Sequence, residues 1–179
     1  MATPEFITEL RKHIGSTPLW IPATTTVVIR EVPADAPIWE VPTVLLVQRA
    51  DSGDWTPIGG ICEPGEQPHE TAVREVKEET GLDIEPVALL GAGAVGPVTY
   101  SNGDVCQFMD TAISARLVGE YDQQPRVADD ESVDTQWCSV AHLPQSLSAR
   151  HRMVIADAVA QMKNPTRFRP RLGFNKRNG

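Results

Sequence analysis

The chain has 179 residues, 22% charged and 41% hydrophobic, with a formal net charge of −8. That length suits one domain with a sizeable core, with or without a small appendage. No apolar run approaches the roughly 20 residues of a membrane span, and the opening MATPEFITELRKH is too polar for a secretory signal. Three cysteines, Cys62, Cys106 and Cys138, are odd in number and lack metal-ligand spacing, which points to reduced thiols in a cytoplasmic protein. The charge is unevenly spread. Six of the 16 basic residues and none of the 24 acidic ones lie from Lys163 onward, leaving −14 on residues 1 to 162. A body this acidic argues against nucleic acid as a partner.

Taken in order, residues 4 to 14 read as a short helix with Thr3 as its cap and Pro4 at its first position. Its apolar face, Phe6, Ile7, Leu10 and Ile14, fits docking on the domain or on a second copy of the chain in a homodimer. Thr24 to Arg30 is β-branched and reads as a strand, and Val44 to Arg49 as a buried one, with Pro33, Pro37 and Pro42 punctuating the loop between them. Val87 to Leu90 reads as a strand, followed by GAGAVGP, which lacks the spacing of a phosphate loop and is read as a flexible strand edge. Val98 to Tyr100 and Val105 to Leu117 flank Ser101-Asn102-Gly103-Asp104, and Asn-Gly is a strong hairpin signal. A polar loop, Gln123 to Asp130, precedes a strand from Ser132 to Val140 and a helix from Leu147 to Met162. Residues 163 to 179 read as a basic tail or irregular arm. Its charge and its phenylalanines, Phe168 and Phe174, suit docking on the acidic body better than binding RNA.

The centre of this order is residues 59 to 82, GGICEPGEQPHETAVREVKEETGL. Pro68 suits a first helical position and Gly81 a left-handed helix end. At about 100° per residue, Ala72, Val73 and Val76 form an apolar stripe with Thr80 at its edge, while Glu75, Glu78 and Glu79 share the adjacent sector. Arg74 and Lys77 are expected to point elsewhere. Like charges at i, i+3 and i+4 destabilise an isolated helix, so a positive group is expected among them. Clustered hard oxygens suit Mg²⁺ or Mn²⁺.

Gly60, Glu66, Arg74, Glu75, Val76, Glu78, Glu79, Gly81 and Leu82 match the pattern G-x5-E-x7-R-E-U-x-E-E-x-G-U, where U is bulky and aliphatic. The stretch resembles the signature of the Nudix hydrolase family. One departure precedes it: Trp55 is followed by Thr56, Pro57 and Ile58 where members often read Leu-Pro before the two glycines. The resemblance implies an α/β fold, an α/β/α sandwich around a mixed β-sheet, over residues 20 to 162. A helical extension, residues 1 to 19, would precede it and the basic tail would follow. It implies a metal-dependent hydrolase that cleaves the pyrophosphate linkage of a nucleoside diphosphate derivative by attack of water on phosphorus. Glu75, Glu78, Glu79 and the Gly60 carbonyl would hold Mg²⁺ or Mn²⁺, with Arg74 and Glu66 orienting carboxylates. Glu79, Glu75, Arg74 and Glu131 form the expected catalytic set, Glu131 standing six residues before Trp137 in ADDESVDTQW, which also offers Asp129, Asp130 and Asp134. Tyr100 and Asp104 are the expected substrate contacts, and Trp20 is a second aromatic that could stack on a base. Pro97 lies near where ADP-ribose-cleaving members carry a proline and Tyr100 near where dinucleoside polyphosphate hydrolases carry a tyrosine, so the two markers disagree. The alternative is a catalytically silent Nudix domain acting as a nucleotide sensor or scaffold, a role in which the glutamates are often eroded. Here they are complete.

Overall fold

The structure, a computed structural model, describes residues 3–100 and 102–174. Met1, Ala2, Ser101 in the expected hairpin turn and the tail beyond Phe174 lie outside those residues. In chain order the elements are α1 (Glu5–Ile14), β1 (Leu19–Arg30), β2 (Thr43–Arg49), β3 (Trp55–Thr56), β4 (Ile58–Ile61), α2 (Pro68–Thr80), β5 (Ile84–Thr99), β6 (Val105–Leu117), β7 (Ser132–Ser139), α3 (Ala149–Lys163) and β8 (Arg171–Leu172).

The unbroken apolar runs of β1 and β2 are explained by helices on both sides of the sheet. Successive strand side chains point to opposite faces. Val27, Ile29, Val44 and Leu46 pack with Val154, Ile155 and Ala158 of α3. Val28, Leu45 and Val47 pack with Val76 of α2 and with Ile58 and Leu82. Truncating a fully buried side chain such as Leu45 or Leu46 to Ala costs about 2–5 kcal/mol. The result is an α/β/α sandwich. Ile7 is the buried residue of α1 and seats it on a third cluster with Ile21, Ile61 and Cys106, while Leu10 is exposed. Pro4, and not Thr3, occupies the cap position of α1.

The sheet is mixed, in the order β3-β2-β1-β6-β5-β8, with β4 pairing β1 and β7 pairing β2. β1 runs parallel to β6 from Leu19↔Cys106 to Ile29↔Arg116. Its other edge is divided: β4 takes Ala23 to Thr26, and β2 takes Ile29 and Arg30. This division opens the sheet, and the smaller of the two cavities described below lies there.

Two elements differ from expectation. The Gly-rich stretch after Leu90 is no loose edge but continues β5 to Thr99, paired with β6 through three register irregularities. Beyond α3 the chain doubles back, and β8 pairs in parallel with β5 at Gly91↔Arg171 and Ala92↔Leu172. The described part of the basic tail therefore docks on its own domain. Arg171 pairs with Asp157 of α3, and Phe168 and Phe174 pack against the α3-side core.

Candidate active site

α2 begins at Pro68, where the Gln67 backbone N–H donates to the Glu70 carboxylate at 2.8 Å. It ends at Gly81, whose φ of 73° is the left-handed conformation glycine tolerates. Its buried face comprises Thr71, Ala72, Glu75, Val76, Glu79 and Thr80. Val73, expected in the core stripe, is exposed, while Thr71 on the other side of Ala72 is buried. The reason is rotational: Glu79 falls within about 20° of Ala72, at the heart of the buried face, while Val73 and Glu78 stand on opposite shoulders. Glu75 and Glu79 are thus core-facing carboxylates, each 6% exposed.

Arg74 does not point away from the acidic residues. Its Nε and Nη2 donate to the two oxygens of Glu66 at 2.9 Å each, the fork-to-fork geometry that makes arginine–carboxylate pairs strong. Nη1 donates to Glu75 at 2.9 Å and to Glu78 at 3.1 Å, and Nη2 also reaches the Ile61 carbonyl at 3.1 Å. Glu66 further accepts from the Thr71 hydroxyl at 2.8 Å and the Glu63 backbone N–H at 3.0 Å. Hydrogen bonds from Arg74 lead the causes that hold the Glu66 carboxyl down to about 2. Glu66 and Arg74 therefore brace the start of α2 against β4.

Gly60 is required by this packing. A Cβ there would stand 2.1 Å from the Glu75 carboxylate, so only glycine lets that side chain lie across β4. Burial pushes the Glu75 carboxyl up to about 6, against the pull of Arg74. Burial, aided by the negative charges of Glu75 and Asp129, pushes Glu79 up to about 8. Among the described residues, no hydrogen bond or ion pair reaches the Glu79 carboxylate.

The acidic loop before β7 is tied to the end of α2. The backbone N–H groups of Arg126 and Ala128 each donate at 3.1 Å, to the carbonyls of Thr80 and Glu79, and the Ala50 N–H donates to the Glu131 carbonyl at 2.8 Å. Arg30, stacked 3.9 Å over Trp137, and the Trp137 indole both donate to the Gln123 carbonyl. Glu131 consequently borders two cavities. One, of about 210 Å³, is walled by Thr24, Thr25, Val47, Arg49, Gly60, Glu79, Val98, Tyr100, Phe108, Asp110, Arg150 and His151. The other, of about 550 Å³, includes Glu63, Arg74, Glu75, Glu78, Asp129 and the start of α1.

Among the described residues no three His, Cys, Asp or Glu side chains are grouped to hold a metal ion. The convergence expected of Glu75, Glu78 and Glu79 is not formed, because Arg74 draws Glu75 and Glu78 to itself while Glu79 borders the smaller cavity. The donor set still fits a hard divalent cation: oxygen ligands only, two of them buried side by side, one without a neutralising partner. Tyr100 lines the smaller cavity, whereas Pro97 and Trp20 are not among its walls. Asp104 is also absent from them and faces Arg11 at 3.4 Å, with Asn102 donating to it at 3.1 Å.

Sequence reasoning passed over one part of the cavity wall. Asp110 of β6 accepts from the Thr25 hydroxyl at 2.9 and 3.1 Å and from Arg150 at 2.7 Å. Arg150 also reaches the His151 ring at 2.9 Å. Burial first, then the positive charge of Arg150, lowers His151 to about 3, so its ring is neutral. An available signal was the lone acid within VCQFMDTAISARL, since an aspartate inside an apolar strand needs a buried partner.

A mixed sheet between helices is a fold shared with solved structures. The binary complex of a C. elegans Ap4A hydrolase superposes with a TM-score of 0.61 at 18% identity, covering 80% of this chain and 98% of that one. The NUDIX domain model matches residues 29–158, and the chain belongs to the Nudix family. It is 33% identical over 127 residues to the 8-oxo-dGDP phosphatase NUDT18 of Homo sapiens, covering 69% of this chain and 36% of the relative. It is 31% identical over 103 residues to the NAD-capped RNA hydrolase NudC of Vibrio atlanticus, covering 56% of this chain and 34% of the relative. The chain thus spans well under half the length of either relative. No helix among the described residues is long and apolar enough to cross a membrane.

Proposed function

We propose that the chain is a divalent-metal-dependent hydrolase cleaving the pyrophosphate linkage of a nucleoside diphosphate derivative by attack of water on phosphorus. The observation that carries this reading is the Glu79 carboxylate, buried on a cavity wall beside Glu75 and Asp129 with no hydrogen bond or ion pair to it among the described residues. A buried charge is costly unless paired or bound to a metal. Membership of the Nudix family and similarity to relatives named for 8-oxo-dGDP and NAD-capped RNA support the same class of substrate.

Glu79, with Glu75, Glu78 and the Gly60 carbonyl, would hold Mg²⁺ or Mn²⁺, which when bound supplies charge screening and Lewis-acid polarisation of the phosphates. Arg74 holds Glu75 and Glu78 on the side of α2 facing Glu131. Glu131, which borders both cavities, would take the proton of the attacking water. Tyr100 and Phe108 supply aromatic wall for the nucleoside. The test is release of phosphate or nucleotide from ADP-ribose, 8-oxo-dGDP, (d)NTPs and dinucleoside polyphosphates with Mg²⁺ or Mn²⁺. At least one substrate should turn over, and chelation should abolish it. Full activity in excess chelator overturns the metal role, and no release from any of them overturns the hydrolase reading.

A further inference from the structure

The walls of the smaller cavity are of two kinds. Glu79 and Glu131 are carboxylates, whereas Arg150, Asp110, Thr25 and His151 form one hydrogen-bonded cluster, with Tyr100 and Phe108 among the apolar walls. That cluster carries no net charge, because Arg150 is balanced by Asp110 and the His151 ring is neutral. A neutral, donor-rich wall in a cavity with aromatics suits a nucleobase and sugar, whereas the carboxylates suit cation-screened phosphates.

One further contact on Arg150 comes from the C-terminal arm. The guanidinium lies 5.4 Å from the centre of the Phe174 ring, within reach of a cation–π contact, while its Nη atoms engage Asp110, Thr25 and His151. Phe174 lies two residues beyond the end of β8, and the intervening Gly173 N–H donates to the Ala92 carbonyl at 2.7 Å. The glycines of β5 allow this approach. A Cβ at Gly93 would lie 2.6 Å from the Gly173 Cα, and one at Gly91 would lie 2.9 Å from the Arg171 Cβ. The GAGAVG stretch is a lane cleared for the arm.

We propose that the C-terminal arm is part of the substrate pocket: Phe174 is a positioning residue that clamps the Arg150 guanidinium against Asp110, and Arg150 so held contacts the nucleoside portion of a nucleoside diphosphate. This rests on the proposed function only for the class of ligand. In the full chain, the Arg150 side-chain N–H signals, assigned in ¹⁵N spectra by Arg150→Lys, should be resolved in the wild type. They should be lost in Phe174→Ala and, by displacement of the arm, in Gly93→Ala, but kept in Phe174→Tyr. Calorimetric titration with GDP, ADP and UDP in Mg²⁺ should show the preferred nucleotide binding at least about fivefold more weakly to both clamp-breaking variants, with Phe174→Tyr close to wild type. Unchanged Arg150 signals in Phe174→Ala overturn the clamp. Lost signals with unchanged affinity overturn its role in the pocket, as does a wild type that binds none of the three. A wild type that binds a nucleotide yet hydrolyses nothing fails the proposed function alone and leaves the clamp decided by these readouts.

Discussion

Asp110 and Glu79 are both buried carboxylates on the wall of one cavity, 3% and 6% exposed, yet their surroundings are opposite. Asp110 receives a hydroxyl and a guanidinium at hydrogen-bond distance. Glu79 is met by Glu75 and Asp129, and among the described residues the cationic influence on it, from Arg49, is the weakest of the causes acting on its ionisation. A buried acid supplied with donors is part of the scaffold. One surrounded by other acids is a cost to the fold that an outside cation can relieve.

The sharpest way to break that contrast is a pair of isosteric substitutions. Glu79→Gln removes a carboxyl that bound metal would hold ionised and that without metal is held largely protonated near neutral pH, so turnover should drop by roughly 10²- to 10⁴-fold while the urea midpoint without metal does not fall. Asp110→Asn strips Arg150 of its partner inside the structure and should cost about 3–5 kcal/mol in urea unfolding. If both substitutions destabilise equally, the two carboxylates are alike and the contrast is wrong.

Acid separates a second pair of groups. Folding lowers His151 from 6.5 to about 3, so its neutral ring contributes stability that is complete above pH 6.5 and lost as pH falls toward 3. Folding lowers Glu66 from 4.5 to about 2, so its pairing with Arg74 is complete above pH 4.5 and lost as pH falls toward 2. Glu79 and Glu75, raised to about 8 and about 6, act in the opposite sense between those values and 4.5, because the folded state takes up their protons first. The His151 contribution is therefore read as the difference in unfolding free energy between wild type and His151→Gln, which should move in favour of the variant by on the order of a few kcal/mol as pH falls from 6.5 toward 3. A difference that does not change between pH 6.5 and 5 would contradict a buried neutral ring.

The smallest effect expected is at Glu131, on the loop tied to α2. Glu131→Gln should slow turnover by at least about tenfold if the side chain takes a proton from water, with thermal stability unchanged. A wild-type rate would leave the loop a solvated acidic edge, and Glu79 would stand without a catalytic partner across the cavity.

Much of this molecule was legible along the chain. Pro68 and Gly81 set the ends of α2 because each constrains or frees a backbone dihedral locally. Runs such as VLLVQR announced strands covered on both faces. The box from Gly60 to Leu82 carried the family, since its spacing places residues on one helix. The direction of each helix side chain was less legible. Only packing decided that Val73 faces water while Glu79 sits at the middle of the buried face, and that Arg74 grips Glu66, Glu75 and Glu78. Asp104 turned to Arg11 for the same kind of reason: the docking of α1 brought an arginine to the hairpin. The Arg150–Asp110–Thr25 cluster joins three distant stretches, and the arm reaches it through glycines 80 residues earlier in the chain, Gly93 against Gly173. Spacing along a chain specifies what one element presents. Which buried charge finds a partner depends on elements meeting in space, and that is a property of the sheet order and its register.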